Sequence, residues 1–253
     1  MKRILSIILL AASVAVGRAN IIADADSAYM ADDFKTAAML YQEAIDSLGP
    51  SADRYYNLGN AYYRCDLPGM AIVSYERALQ LDPTNKDIKE NLEFVNSKTV
   101  DRLTPSSSLV GGIADNIAAR IHPDVWAWIG LVTFALALAG ACIWFFGSGV
   151  ALRKTGFFGA LTLIVVCVLA NVLSYRAANK ISADNKAVVT KPSVILSTTP
   201  RAPKDRSEEA MLLHEGTKVT ILDSLNTAGA VWYDVRVDDS HRAWISSDAV
   251  EII

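Results

Sequence analysis

The sequence predicts a multidomain membrane protein of three parts: an all-α helical repeat region, a transmembrane helical hairpin and a small all-β barrel. Two apolar stretches, residues 125–146 and 157–175, each run for about twenty residues without an acid or base, the length of helix that crosses a hydrocarbon core of roughly 30 Å. Before them, small and aromatic residues recur at helical spacing in a pattern that repeats. After them, the period falls to the alternation of short strands.

The chain opens on Lys2 and Arg3, and the apolar run 4–16 comes next, too short for a third crossing and of the form of an export signal. Small residues offer cleavage after Ala19, Ala23 or Ala25. The signal is assigned to residues 1–25, which places the helical repeat outside the cytoplasm.

Residues 26–96 read as paired helices. In 51–84, Tyr55, Leu58, Gly59 and Tyr62 share one helical face. A short break comes after them, and Ala71, Tyr75 and Ala78 lie on a second helix that Pro83 stops. This pattern resembles a tetratricopeptide repeat, in which the small Gly59 and Ala71 sit where the helices cross and the larger residues fill the seam. An earlier copy aligns through Phe34, Ala37, Tyr41 and Ala44, with a degenerate first helix in which Ala25 and Ala28 replace Gly59 and Tyr62; 85–96 forms a capping helix. The resemblance implies a peptide-binding concave face drawn from the first helix of each pair: Asp53, Tyr56, Asn60, Tyr63 and Arg64, with Asp87, Glu90 and Asn91 on the cap. Asn and Tyr there would bond a peptide backbone and cover its apolar side chains.

Residues 97–124 form a polar linker, with an interfacial helix expected over 110–121 that turns Ile113, Ile117 and Ile121 to lipid. Trp126, Trp128 and Trp144 near the ends of the first crossing, and Phe157, Phe158 and Tyr175 in the second, fit interfacial belts. Gly130, Gly140, Ala135, Ala137, Ala139 and Ala141 offer small surfaces for helix packing. The turn 147–156 carries Arg153 and Lys154 without an acid, which places it in the cytoplasm and both flanking regions outside it. Of three cysteines, Cys142 and Cys167 fall in the spans and Cys65 in the repeat, so there is neither a disulfide framework nor a zinc spacing.

After the linker 176–186, residues 187–253 hold seven short strand patterns, at 187–189, 194–196, 211–213, 219–222, 232–237, 242–245 and 250–252. Leu213-His214-Glu215-Gly216, Trp232-Tyr233 and Ala243-Trp244-Ile245 make this stretch similar to a bacterial SH3-like barrel, a domain that binds peptides or cell-wall material. Tyr233 and Trp244 are its candidate surface residues, against the alternative that Trp232 and Trp244 alternate into the barrel core.

A formal net charge of -3 gives no support for nucleic-acid binding. The chain lacks a phosphate-binding glycine loop, a His-Glu-x-x-His pattern and a Gly-x-Ser-x-Gly elbow. The expectation is a protein that is not an enzyme and uses no cofactor or metal. The order of parts resembles the BatE family, the tetratricopeptide member of the Bacteroides aerotolerance system. That resemblance implies an inner-membrane adaptor, two-pass with both larger regions periplasmic, in envelope complexes linked to oxygen or oxidative stress. It implies partners among von Willebrand factor A-domain membrane proteins. The alternative is a wall-sensing module that binds peptidoglycan through the terminal domain.

Overall fold

The computed structural model describes residues 21–101, 114, 117–118, 120–181, 185–227, 229–238 and 240–253. Residues 1–20 of the expected signal and most of the expected interfacial helix lie outside them. The chain forms two compact units. One is assembled from the segments on either side of the hairpin; the other is the hairpin itself.

The helices of the first unit are α1 (21–30), α2 (Phe34–Leu48), α3 (Ala52–Arg64), α4 (Pro68–Leu81) and α5 (Lys86–Lys98). Their starts are set locally. Asp33, Ser51 and Asn85 accept from the backbone N–H groups of Thr36, Arg54 and Ile88, and Pro68 opens α4. The repeat is more regular than expected. Asp32 and Asp66, 34 positions apart, both turn the chain with φ 59°. Tyr41 donates to Asp26 and Tyr75 to Asn60, each at 2.6 Å, so one hydrogen bond recurs in both pairs. The first helix of the earlier copy therefore makes the same contact as that of the later one, and Ala25 is fully buried in its core. Tyr55, Leu58, Tyr62, Ala71, Tyr75 and Ala78 all pack into the helical cores. Gly59 is in contact with the Tyr75 ring, where a Cβ would come within 2.7 Å of it. Pro83 falls in the turn between α4 and α5.

After the hairpin come β1 (Lys186–Val189), β2 (Ser193–Ser197), β3 (Glu209–His214), β4 (Lys218–Thr227), β5 (Ala230–Arg236), β6 (Arg242–Ser246) and β7 (Val250–Ile252). They form one antiparallel seven-stranded sheet in the order β3-β2-β6-β5-β4-β1-β7. All seven expected strands are present, but the sheet is open and the SH3-like barrel is not formed. Closure would require β3 to pair with β7. The outer edge of β7 is instead taken by a helix: Arg77 of α4 donates to the Ile252 carbonyl at 2.6 Å and to Glu251 at 2.7 Å.

That contact belongs to a larger one. The helical region and the sheet, expected as separate domains, share a core. Ala187 and Val189 of β1 face the sheet core, while Val188 between them is fully buried among Ala71, Ile72, Tyr75, Ile88 and Leu92 of the helices. The turn after β3 docks beside it. His214 N–H donates to Asp101 Oδ2 at 2.7 Å, the His214 ring lies 3.0 Å from Oδ1, and Thr217 donates to Oδ2 at 2.7 Å. Glu215 accepts from Gly69 N–H at 2.9 Å. It thereby supplies the cap that Leu67 cannot give α4. Glu76 pairs with Lys218. Thr99 and Asp101, expected in a linker, are part of this interface.

Burial works to raise the Asp101 carboxyl, but the bonds from Thr217 and His214 outweigh it and hold the group below the usual carboxylate range. A depressed folded value stabilises the docked state above the unfolded pKa and is lost as pH falls through the folded one. Burial moves Glu215 the other way, raising it, so the two are separated by mutation. Asp101→Asn is expected to cost about 2 kcal/mol near neutrality, a difference that shrinks below roughly pH 4 in urea titrations of parent and variant.

The second unit is the antiparallel pair α6 (Pro123–Phe146) and α7 (Val150–Ile181). Only 147–149 separate them, so the expected ten-residue turn is shorter. Arg153 and Lys154 lie in the first turns of α7, where Arg153 Nε donates to the Trp144 carbonyl at 3.0 Å. Both helices face each other largely through small residues: Gly130, Thr133, Ala137 and Gly140 at alternating spacings of three and four on α6, and Gly156, Ala160, Cys167, Ala170 and Ser174, interrupted by Leu163, on α7. The backbones approach closely at Gly156, where a Cβ would stand 2.8 Å from the Gly140 carbonyl. Ala135 and Ala139, by contrast, are exposed. Leu131, Phe134, Leu138, Leu161, Val165 and Leu169 also point outward, at least half exposed. This is the reverse of a soluble helix pair, which buries its large apolar side chains. Both helices are long and apolar enough to cross a membrane.

Candidate functional site

On the helical region, α1, α3 and α5 line a groove of about 120 Å³ floored by Tyr75 of α4. Four of the expected peptide-binding residues line it: Asn60, Tyr63, Arg64 and Asn91. Tyr56 stands beside it, while Asp53, Asp87 and Glu90 do not line it. The polar floor is braced. Asn60 Oδ1 accepts from the Tyr75 hydroxyl at 2.6 Å and from Asn91 Nδ2 at 2.9 Å, and Asn91 Nδ2 also reaches the Tyr56 hydroxyl at 3.2 Å. Burial pushes the Tyr75 hydroxyl far above the ordinary tyrosine range, so it remains a donor at any physiological pH. With these bonds made, the Asn60 NH₂ and the Asn91 carbonyl have no partner among the described residues. A donor and an acceptor side by side match the C=O and N–H of an extended peptide.

The walls are apolar. Tyr63 meets Phe94 edge to face at 5.6 Å, with Tyr29 and Val95 completing the lining. The cation at the rim is held: Arg64 stacks 4.0 Å over Phe34 and pairs with Asp32 at 3.3 Å. Tyr29, Phe94 and Val95 are not among the residues expected from the sequence. Tyr29 is findable there, since it stands 34 positions before Tyr63 just as Asp26 stands before Asn60. Phe94 and Val95 belong to the cap, where no second copy exists for comparison.

On the sheet, Tyr233 pairs with Ile245 and packs against the core, whereas Asp234 pairs with Trp244. Successive residues face opposite ways, so Tyr233 and Trp244 cannot form one surface. Trp232 and Trp244 share the face away from the core, beside the buried Asp234, which Arg242 grips through both carboxylate oxygens. His241 and Ser240 both bond Asp238 within one turn, an arrangement that closes the turn. Among the described residues no three His, Cys, Asp or Glu side chains are grouped to hold a metal, and all three cysteines are free.

A family model of the tetratricopeptide repeat matches residues 52–85. This span is α3, α4 and the turn before α5, the pair that contributes Asn60, Tyr63, Arg64 and Tyr75 to the groove. No curated protein matches the chain.

Proposed function

We propose that this chain is a two-pass membrane adaptor that holds an extended peptide segment of a partner protein in the groove of its helical repeat. The observation that carries the reading is the braced amide pair, Asn60 and Asn91, presenting a free donor and acceptor between aromatic walls. The matched repeat supports a role in protein–protein interaction. The sheet supports it indirectly: it docks on α4 through Arg77, Glu76 and Gly69 and leaves the face formed by α1, α3 and α5 uncovered.

The membrane part of the reading rests on the outward-facing large residues of α6 and α7. The segments before and after the hairpin fold into one unit, which fits a hairpin that crosses twice and returns the chain to the same side. Arg153 and Lys154 beside the loop favour a cytoplasmic loop, hence a periplasmic unit and an inner-membrane location. An export signal cut after Ala19 would leave α1 whole; a cut after Ala25 would remove a buried residue and bring the new terminus against the Asp26 that receives Tyr41. The resemblance of the part order to the BatE family favours an envelope complex concerned with oxygen or oxidative stress, and von Willebrand factor A-domain membrane proteins as partners.

Crosslinking in native membranes, with identification of the captured proteins, tests the groove. The variant Asn60→Ala with Asn91→Ala is expected to lose a specific partner by roughly tenfold while its circular dichroism is unchanged. Undiminished capture would move the binding site elsewhere.

A further inference from the structure

One element of the sheet outruns its neighbours. Lys186, Thr220, Arg236 and Arg242 lie side by side in one register row across β1, β4, β5 and β6. From that row β1 runs toward Val188 and the helices, whereas β4 and β5 continue the opposite way to the pair Thr227 and Ala230, about 20 Å farther on. Past Trp232, which still pairs with Ser246, the ribbon has no third strand: Asn226 and Thr227 pair only with Val231 and Ala230. Between Asp223 and Asp234 the sequence holds no acid or base. Leu225, 45% exposed, opposes the half-buried Trp232 on one face of the ribbon, and Val231 is half-buried on the other. A two-stranded ribbon standing alone is marginal in water, and this one presents an uncharged, apolar end.

We propose that this ribbon docks on the bilayer surface, with Leu225, Val231 and Trp232 seated in the interface of an anionic leaflet. The inference rests on the membrane reading above. The length of the tether selects the occupant. Residues 176–181 carry α7 about 9 Å beyond Tyr175, and residues 182–185 span at most about 17 Å before Lys186. The row of Lys186 is thereby held within about 26 Å of the aromatic belt, a height that the ribbon and its side chains cover. The ribbon projects past the tethered end of β1, back along the direction from which the chain arrives. A tryptophan beside Leu and Val, with charge withheld, is the composition an interface favours. Charge resumes where headgroups would meet it. Arg236 is exposed with no partner among the described residues, Lys186 shares its row, and the acid that Arg242 grips, Asp234, is buried, so the row's cations outnumber the exposed Asp223.

The test uses the full-length chain with phenylalanine at Trp126, Trp128, Trp144 and Trp244, so that Trp232 is the remaining tryptophan. It is reconstituted sparsely into vesicles of phosphatidylcholine and phosphatidylglycerol, with or without bromine on the acyl chains. Bromine is expected to quench about half of the Trp232 emission, and Leu225→Asp, at an exposed position, is expected to cut that quenching roughly threefold with unchanged circular dichroism. Emission untouched by bromine, or quenching equal in parent and Leu225→Asp, would overturn the inference. Shielding that appears only when chains are crowded, or only in native membranes, overturns it too, by assigning the ribbon to a second copy or to a different partner. Alkaline extraction of the vesicles separates the two levels: a chain that washes out overturns the membrane reading itself, whereas one that stays with Trp232 unquenched overturns only the docking.

Discussion

Val188→Asp is expected to unfold the helical repeat and the sheet together, lowering stability by about 4 kcal/mol or more. Val188 is a strand residue by hydrogen bonding, paired with Lys218 and Glu251 across β1. Its side chain belongs to the core of the helices, among Ala71, Ile72 and Ile88. A carboxylate there would be buried without a partner. Val188→Ala, which only removes methyl groups, is expected to cost about 2 kcal/mol. The diagnostic feature is which signal moves. If the sheet were an independent module, a β1 substitution would leave the melting of α2 to α5 unchanged. Far-ultraviolet circular dichroism reports those helices, and their loss in the Asp variant at temperatures where the parent is folded is the expected outcome.

Gly216→Val should have an effect of similar size by a different route. Gly216 has φ +87°, a region that costs an L-residue about 1–2 kcal/mol and a β-branched residue more. Its Cβ would also stand 2.5 Å from the Thr99 methyl and 3.1 Å from Ile72 Cδ1. The turn cannot shift to relieve this, because Gly216 N–H donates to the Val189 carbonyl at 2.8 Å, Glu215 on one side is bonded to Gly69 of α4, and Thr217 on the other is bonded to Asp101. A loss of about 3 kcal/mol is expected, measured by urea denaturation, with Gly229→Val as comparison. Gly229 has φ +81°, but nothing lies within 4 Å of a Cβ there. It carries the backbone penalty without the collision, and the difference between the two variants isolates the docking contact.

The helices of the repeat are legible in the sequence because their stacking depends on residues at fixed spacing: Leu58, Gly59, Tyr62, Ala71, Tyr75 and Ala78 meet as the spacing demands. The hairpin is legible for the same reason, with one error of boundary. Arg153 and Lys154 read as loop because they are charged, yet a cation in the first turn of α7 can reach back to the carbonyls ending α6, as Arg153 does. Strand positions are legible from alternation; how the sheet closes is not. Closure is decided by what lies along the last strand, and Arg77 of α4 is far away in sequence from Ile252. One signal is present in the chain and points to the docking. Ala187, Val188 and Val189 form an unbroken apolar run where a half-exposed strand would alternate, the mark of a strand buried on both faces. For the groove, the aligned copies can supply Tyr29, whereas the bracing of Asn60 by Asn91 needs the placement of α5 against α3.

The docked arrangement also changes how binding would work. Two modules on separate linkers could engage two partners independently, with one contact raising the effective concentration of the other. A repeat fused to a sheet presents one rigid groove instead. Two repeats are few for a solenoid, whose units are stabilised by their neighbours. Here β1 and the turn after β3 supply part of the missing neighbour, so the groove depends on a segment that the chain reaches only after the helical hairpin.

The claim that the two flanking segments are one folding unit is tested most directly by monitoring both at once during unfolding. With the hairpin replaced by a Gly/Ser linker, Trp232 and Trp244 are the remaining tryptophans and report the sheet alone, while ellipticity at about 222 nm reports the helices. A single urea transition with coincident midpoints for fluorescence and ellipticity, both moved equally by Val188→Ala, is the predicted result. Two separate transitions, with the helical one indifferent to Val188, would contradict it.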